Sequence, residues 1–252
     1  MTFQTNGSVH HSGVANEHDT IDLLNDHQVF TETVTHLGGT RNKADAMAGS
    51  KGISIKHKAG VRNGSFDWVN TTHTDGVIDR TVFSDFLGFV AAARNWSTEQ
   101  RLAIVEETRD LLNEVCSSAL DSITPQDLTA FLTEHVAKAN QGMGIIINDT
   151  NAQTLHILEA DRLDLTRCLA DGWIAHLISG KGMTSRKIVL KRLGQTLDLG
   201  LRLRLTSNNG IKAFLGLSKA NRNSSIVLKV QQDSVGDFLT QDPDRQILTY
   251  AA

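Results

Sequence analysis

Residues 37–58, LGGTRNKADAMAGSKGISIKHK, decide the fold. Gly38-Gly39-Thr40 predicts a turn into a short extended run carrying Asp45. A second turn over Gly49-Ser50-Lys51-Gly52 leads into Ile53-Ser54-Ile55-Lys56. Two short strands joined by a tight turn set Asp45 and Lys56 side by side at one edge of a sheet. Ser54 and Lys56 are two apart, so they share one face of their strand.

Outward from this hairpin the pattern remains that of a mixed α/β chain. Upstream, residues 14–25 read as a helix, with Ala15, Ile21 and Leu24 to one side and Glu17, His18, Asp19 and Asp22 on others. Residues 29–37 alternate and predict a first strand. Downstream, residues 60–63 form a basic turn with Arg62, and 65–71 a short extended or helix-starting piece in which Trp68 packs. From 79 to 140 the apolar period becomes helical, giving three core stripes with helix starts at Ser97-Thr98-Glu99 and Thr124-Pro125-Gln126. Residues 144–147 and 154–158 predict a hairpin and 163–178 a helix. Strands follow over 188–190, 199–205, 213–217 and 226–230, with a turn at Ser207-Asn208-Asn209-Gly210. The expected organisation is a core segment over 13–72, a helical block over 75–140, and a β-rich basic region over 141–252 that completes the core.

Phosphodiester hydrolysis requires a divalent cation that activates water, carboxylates that hold it, and a cation that orients the water. Asp45 is the one acid among the six basic residues of 41–62, which makes it the first candidate ligand. Lys56 is the candidate water-orienting cation, and Glu17 a source of a second carboxylate. His57 and Lys58 suit phosphate contacts.

A helix with Glu17, then Asp45, then Ser54-Ile55-Lys56 resembles the PD-(D/E)xK nuclease superfamily, which includes many restriction endonucleases. The resemblance covers residues 13–72. It implies a restriction-endonuclease-like central mixed sheet flanked by helices, with a metal at its edge. It also implies that Asp45 and the residue two before Lys56 bind Mg²⁺ or Mn²⁺ while Lys56 assists the water. Ser54 stands where the family carries an acid, and Lys43-Ala44 replaces the proline before Asp45. Glu17 or the Ile55 carbonyl would then complete the metal site.

Net charge of −3 argues against a polyanion partner, but its distribution argues for one. Between Lys181 and Val230 there are eleven basic residues and a single acid, Asp198, whereas residues 75–138 are acidic. Such segregation predicts one basic face. Arg202 and Arg204 project from one side of their strand, as phosphate contacts require. Asn208 and Asn209 occupy the adjoining turn. Two readings are open for Gln231 and Gln232: contact with base edges, or the cap of a helix over 234–239.

The leading expectation is a Mg²⁺-dependent, sequence-specific endonuclease acting on double-stranded DNA as a homodimer, since cutting two strands takes two sites. A homing or repair nuclease would use the same residues. The alternative from another class is a non-catalytic nucleic-acid-binding or capsid-associated protein. A nucleotide-dependent enzyme is disfavoured, because Gly38-Gly39-Thr40 lacks the lysine, serine and helix of a phosphate loop. Two cysteines without ligand spacing predict buried thiols, and the first residues carry no basic-then-apolar leader. With no run long enough to span a bilayer, the expected location is the cytoplasm.

Overall fold

Ile21 and Leu24, three apart on helix α1 (Gly7–Asp26), are buried against the sheet that follows. The helix stops where Asn25 turns its amide back on the chain. Its Oδ1 accepts from Val34 N at 2.7 Å and its Nδ2 donates to Val34 O at 3.0 Å. The next strand is thereby locked under the helix. In this computed structural model residues 7–37, 44–58, 66–70, 92, 95–103, 105–179, 184–207, 224–230 and 235–251 are described.

Strands β1 (Val34–His36), β2 (Ala46–Ala48) and β3 (Lys51–Lys58) form an antiparallel meander. The β2–β3 turn is only Gly49-Ser50, with Ala48 opposite Lys51 and Gly49 at φ 57°. Glycine suits that position, since a Cβ there would also meet Glu32 Cγ at 3.2 Å. Strand β4 (Phe66–Asn70) begins a different sheet.

Helices α2 (Thr98–Ala103), α3 (Val105–Ser122) and α4 (Pro125–Phe131) then intervene. Thr124 caps α4 by accepting from Asp127 N, with proline in the first turn, as its sequence predicts. Strand β5 (Gly144–Asp149) enters parallel to β3, and β6 (Thr154–Glu159) returns antiparallel to β5. With β11 (Gln246–Thr249) the first sheet has six strands in the order β1-β2-β3-β5-β6-β11. It is a mixed sheet.

The second sheet is antiparallel, ordered β4-β10-β9-β8-β7, with β7 (Ile174–Ile178), β8 (Ser185–Arg192), β9 (Gln195–Ser207) and β10 (Ser224–Val230). The short helices α5 (Asp164–Ala170) and α6 (Val235–Thr240) lie between strands, α5 before β7 and α6 before β11. Two apolar clusters hold the elements together. One joins α1 to the first sheet through Val34, Ala46, Ile53, Ile55, Ile146 and Ile157. The other runs through Trp68, the helical block, Ile145, Ile147, Leu158 and the Leu199–Leu205 alternation to Phe238. The acidic helical block and the basic strands thus share one core.

The helix expected over 163–178 stops at Ala170. Gly172, at φ 79°, turns the chain, and the β-branched ends of Ile174–Ile178 favour β7 beyond it. The first strand is shorter than 29–37, and β11 has no counterpart in the sequence reading. The first helical stripe (82–93, residue 92 apart), the strand over 213–217, and Arg62, Asn208, Asn209, Gln231 and Gln232 lie outside the described residues.

The β8–β9 turn is Leu193-Gly194, with Arg192 opposite Gln195 and φ values of 47° and 81°. Both positions of this turn need positive φ, and leucine there is disfavoured by about 1–2 kcal/mol. Leu193→Asn is therefore expected to stabilise the fold by about 1 kcal/mol, raising Tm by about 2–4 °C. A thermal melt by circular dichroism checks this.

Candidate active site

Asp45 sits one residue before β2, where that strand is about to leave the edge of β3. Its N–H donates to Ile53 O at 2.8 Å, the last backbone rung between the two. Ile55 N–H points to the same edge two residues on, with no β2 residue opposite. It donates to Asp45 Oδ2 at 2.7 Å instead. The carboxylate therefore extends the ladder by one rung. Because N–H and C=O of one strand residue point the same way, the Ile55 carbonyl opens on the same edge.

Two hydrogen-bond donors and one ammonium surround that carboxylate. Besides Ile55 N–H, the Ser54 hydroxyl donates to Oδ2 at 3.3 Å and the Lys56 ammonium lies 3.8 Å from it. At that length Lys56 is an ion-pair partner rather than a hydrogen-bond donor, so its protons are available to another group. Asp45 Oδ1 has no hydrogen-bond partner among the described residues. Ser54 is 1% exposed, while the Asp45 and Lys56 side chains are 24% and 21% exposed. Asp45, Ser54, Ile55 and Lys56 are thus brought together as the sequence requires.

Glu17 is not part of that group. Its Oε2 lies 2.9 Å from His36 Nε2, and the His36 ring lies 4.3 Å from that of His18. His36 is opposite Ala46, on the α1 side of the sheet, whereas Ser54 and Lys56 face the other side. Among the described residues no three His, Cys, Asp or Glu side chains stand together to hold a metal. Any cation here would rest on one carboxylate, the Ile55 carbonyl and the Ser54 hydroxyl. Oxygen donors of this kind suit Mg²⁺ or Mn²⁺, with one acid fewer than such a site ordinarily has.

His57 and Lys58 part company. His57 turns towards α1, 3.4 Å from Asn16 Nδ2. Burial depresses its pKa, against the opposing pull of Asp19 and Asp149. A neutral imidazole beneath a helix is a poor phosphate contact. Behind it Asn148 donates to Thr20 Oγ1 at 2.9 Å and accepts from Tyr250 at 2.6 Å, tying α1, β5 and the last residues together.

Lys58 lies on the Lys56 side and donates to Asp149 at 2.6 Å. Burial alone would raise the Asp149 pKa, but Lys58 and the amides of Ala152 and Asn151 together hold it below its usual value. A depressed carboxylate stabilises the fold above its unfolded pKa of about 3.9 and loses that stability as pH falls through the folded value. Asp149→Asn is expected to flatten the fall in urea-unfolding stability as pH drops below about 4. An unchanged acid limb would remove Asp149 as its source.

On the second sheet, Lys187, Arg202 and Lys229 are direct partners across β8, β9 and β10. The buried leucines take one face of β9, so Arg202 and Arg204 share the other, as expected. Arg202 carries a buried Nη1 without a hydrogen-bond partner, and Lys187 is ion-paired with Asp198. The sequence reading did not place Lys187 and Lys229 beside Arg202, because that depends on register across strands.

No family model, curated protein or solved structure matches the chain. Among the described residues, no helix is long and apolar enough to cross a membrane.

Proposed function

We propose that the protein is a metal-dependent endonuclease that cuts double-stranded DNA at specific sequences, acting as a homodimer. The observation that carries this reading is the Asp45 carboxylate set between the Ser54 hydroxyl, the Ile55 backbone and the Lys56 ammonium on the β2–β3 hairpin. The hairpin belongs to a mixed sheet preceded by a helix, which is the setting the PD-(D/E)xK resemblance implies. Asp45 Oδ1, the Ile55 carbonyl and the Ser54 hydroxyl would hold Mg²⁺ or Mn²⁺. Bound there, the ion would acidify a water and offset charge on the phosphate. Lys56 has the reach and the free protons to orient that water. Arg202 and Arg204, with Lys187 and Lys229, supply positive charge for the DNA backbone.

The non-catalytic reading draws on Ser54 and on the engagement of Glu17 by His36, which leave one carboxylate at the hairpin. Incubation of the purified chain with unmethylated plasmid and phage DNA, in Mg²⁺, Mn²⁺ or EDTA, separates the two. Discrete fragments that require the cation are expected. Intact DNA with salt-sensitive binding would leave a nucleic-acid-binding module.

A further inference from the structure

At the tip of the β8–β9 hairpin Leu193 is 94% exposed, the most exposed of the large hydrophobics among the described residues. Its φ of 47° belongs to a turn position that asparagine or glycine fills more readily. An exposed apolar surface and a disfavoured backbone therefore coincide at one residue. The tip borders a cleft of about 710 Å³ between the start of α4, β7 and this hairpin. Lys191, Arg192, His176, Gln126 and Gln195 help to line it, and no acidic residue does. Asp164 and Asp171, whose charges are felt with that of Arg192 around Cys168, belong to α5 and its C-terminal cap.

Away from the tip the charge is mixed, since Lys187 is ion-paired with Asp198. Val189, between Lys187 and Lys191 at alternate positions of β8, is buried like Ile188 and Leu190. Lys187 in turn pairs with Arg202. An exposed leucine flanked by Lys191 and Arg192, beside a cleft with no acidic lining, has the charge complementarity for a polyanion with stacked apolar planes inside it. One leucine buries too little surface to hold a bilayer. Minor-groove proteins use an apolar side chain between base steps, with cations on the neighbouring phosphates.

We propose that the Leu193 tip is a wedge for duplex DNA, inserting at a base step while Lys191 and Arg192 contact the flanking phosphates. The inference rests on DNA as the substrate in the function proposed above. The wedge bends or unstacks the duplex, so it adds shape selection to whatever bases are read directly.

The test uses the full chain in EDTA with duplexes carrying 2-aminopurine, whose fluorescence rises on unstacking. A rise with the unmodified chain and its loss in Leu193→Asn is the expected result. Because asparagine suits the turn, that loss would not reflect misfolding. Lys191→Ala with Arg192→Ala is expected to lower the log–log salt slope of binding by about two. No rise on DNA that the protein binds, or an undiminished rise in Leu193→Asn, would overturn the wedge. So would co-sedimentation with anionic vesicles that requires Leu193, in the absence of unstacking. Cleavage in Mg²⁺ without a rise removes the wedge alone, and a rise without cleavage on any substrate removes the nuclease alone. A chain that binds no duplex loses both.

Discussion

Asp45→Asn and Lys56→Met are each expected to lower the rate of plasmid cleavage by about 100-fold or more, the scale set by removing one electrostatic group from a polar active site. The conservative choices matter because Asp45 has two roles. Its Oδ2 terminates the β2–β3 ladder on Ile55 N–H, and an amide oxygen can still accept that bond. Asparagine therefore removes charge, and with it cation affinity, while leaving the hairpin closed. Asp45→Ala would confound the two by leaving Ile55 N–H without its acceptor. Methionine keeps the stem of Lys56, which is mostly covered, and removes only the ammonium. Cleavage rates, duplex binding in EDTA and thermal melts on the same preparations separate chemistry from binding and folding. Cleavage lost with binding and Tm retained assigns both residues to the reaction. If fragments persist at the normal rate in both variants, the activity lies elsewhere on the chain.

The hairpin was legible because its information is local. Gly49 marks the turn, the Ile53-Ser54-Ile55-Lys56 alternation marks the faces, and together they place Lys56 beside Asp45 before any tertiary contact is known. Thr124-Pro125 and Trp68 were readable for the same reason: a cap and a large apolar side chain act where they stand. What could not be read depends on where strands stop and which partners lie across them. Asp45 meets Ile55 N–H only because β2 stops pairing at Ile53. Glu17 is drawn away by His36, nineteen positions on, through a helix-on-strand packing that no spacing rule encodes. Lys58 and Asp149 meet across a parallel pair, at a separation of 91 residues. Leu193 escaped notice because leucine is not a turn residue. Residues 163–178 misled because Leu165, Cys168 and Leu169 carry a helical period up to Gly172 and β7 then continues the apolar run.

Ser54→Asp is expected to turn a weakly responsive fold into one whose stability depends on divalent cations. Ser54 is a buried donor to Asp45 Oδ2 at 3.3 Å. An aspartate there replaces the donor by a second carboxylate within reach of the first. Two such groups cannot both stay ionised cheaply, so one takes up a proton or the hairpin loosens. A buried charge left unpaired costs about 3–5 kcal/mol, which bounds the loss of stability in EDTA from above. A divalent ion bound between the two carboxylates reverses the sign. At a cation concentration 100 times Kd it restores about 2.7 kcal/mol, or about 5–10 °C in a chain of this size. The unmodified chain, with serine in that place, is expected to gain less from Mg²⁺ than Ser54→Asp does. Melts of both proteins and of Asp45→Asn with Ser54→Asp, each in EDTA and in millimolar Mg²⁺ or Mn²⁺, make the comparison. A cation-dependent gain that needs both carboxylates places the metal at Asp45 independently of any cleavage assay. Equal responses in all three proteins would mean that the β2–β3 edge holds no cation, that Asp45 serves only to close the hairpin, and that the basic strands account for whatever binding to DNA is found.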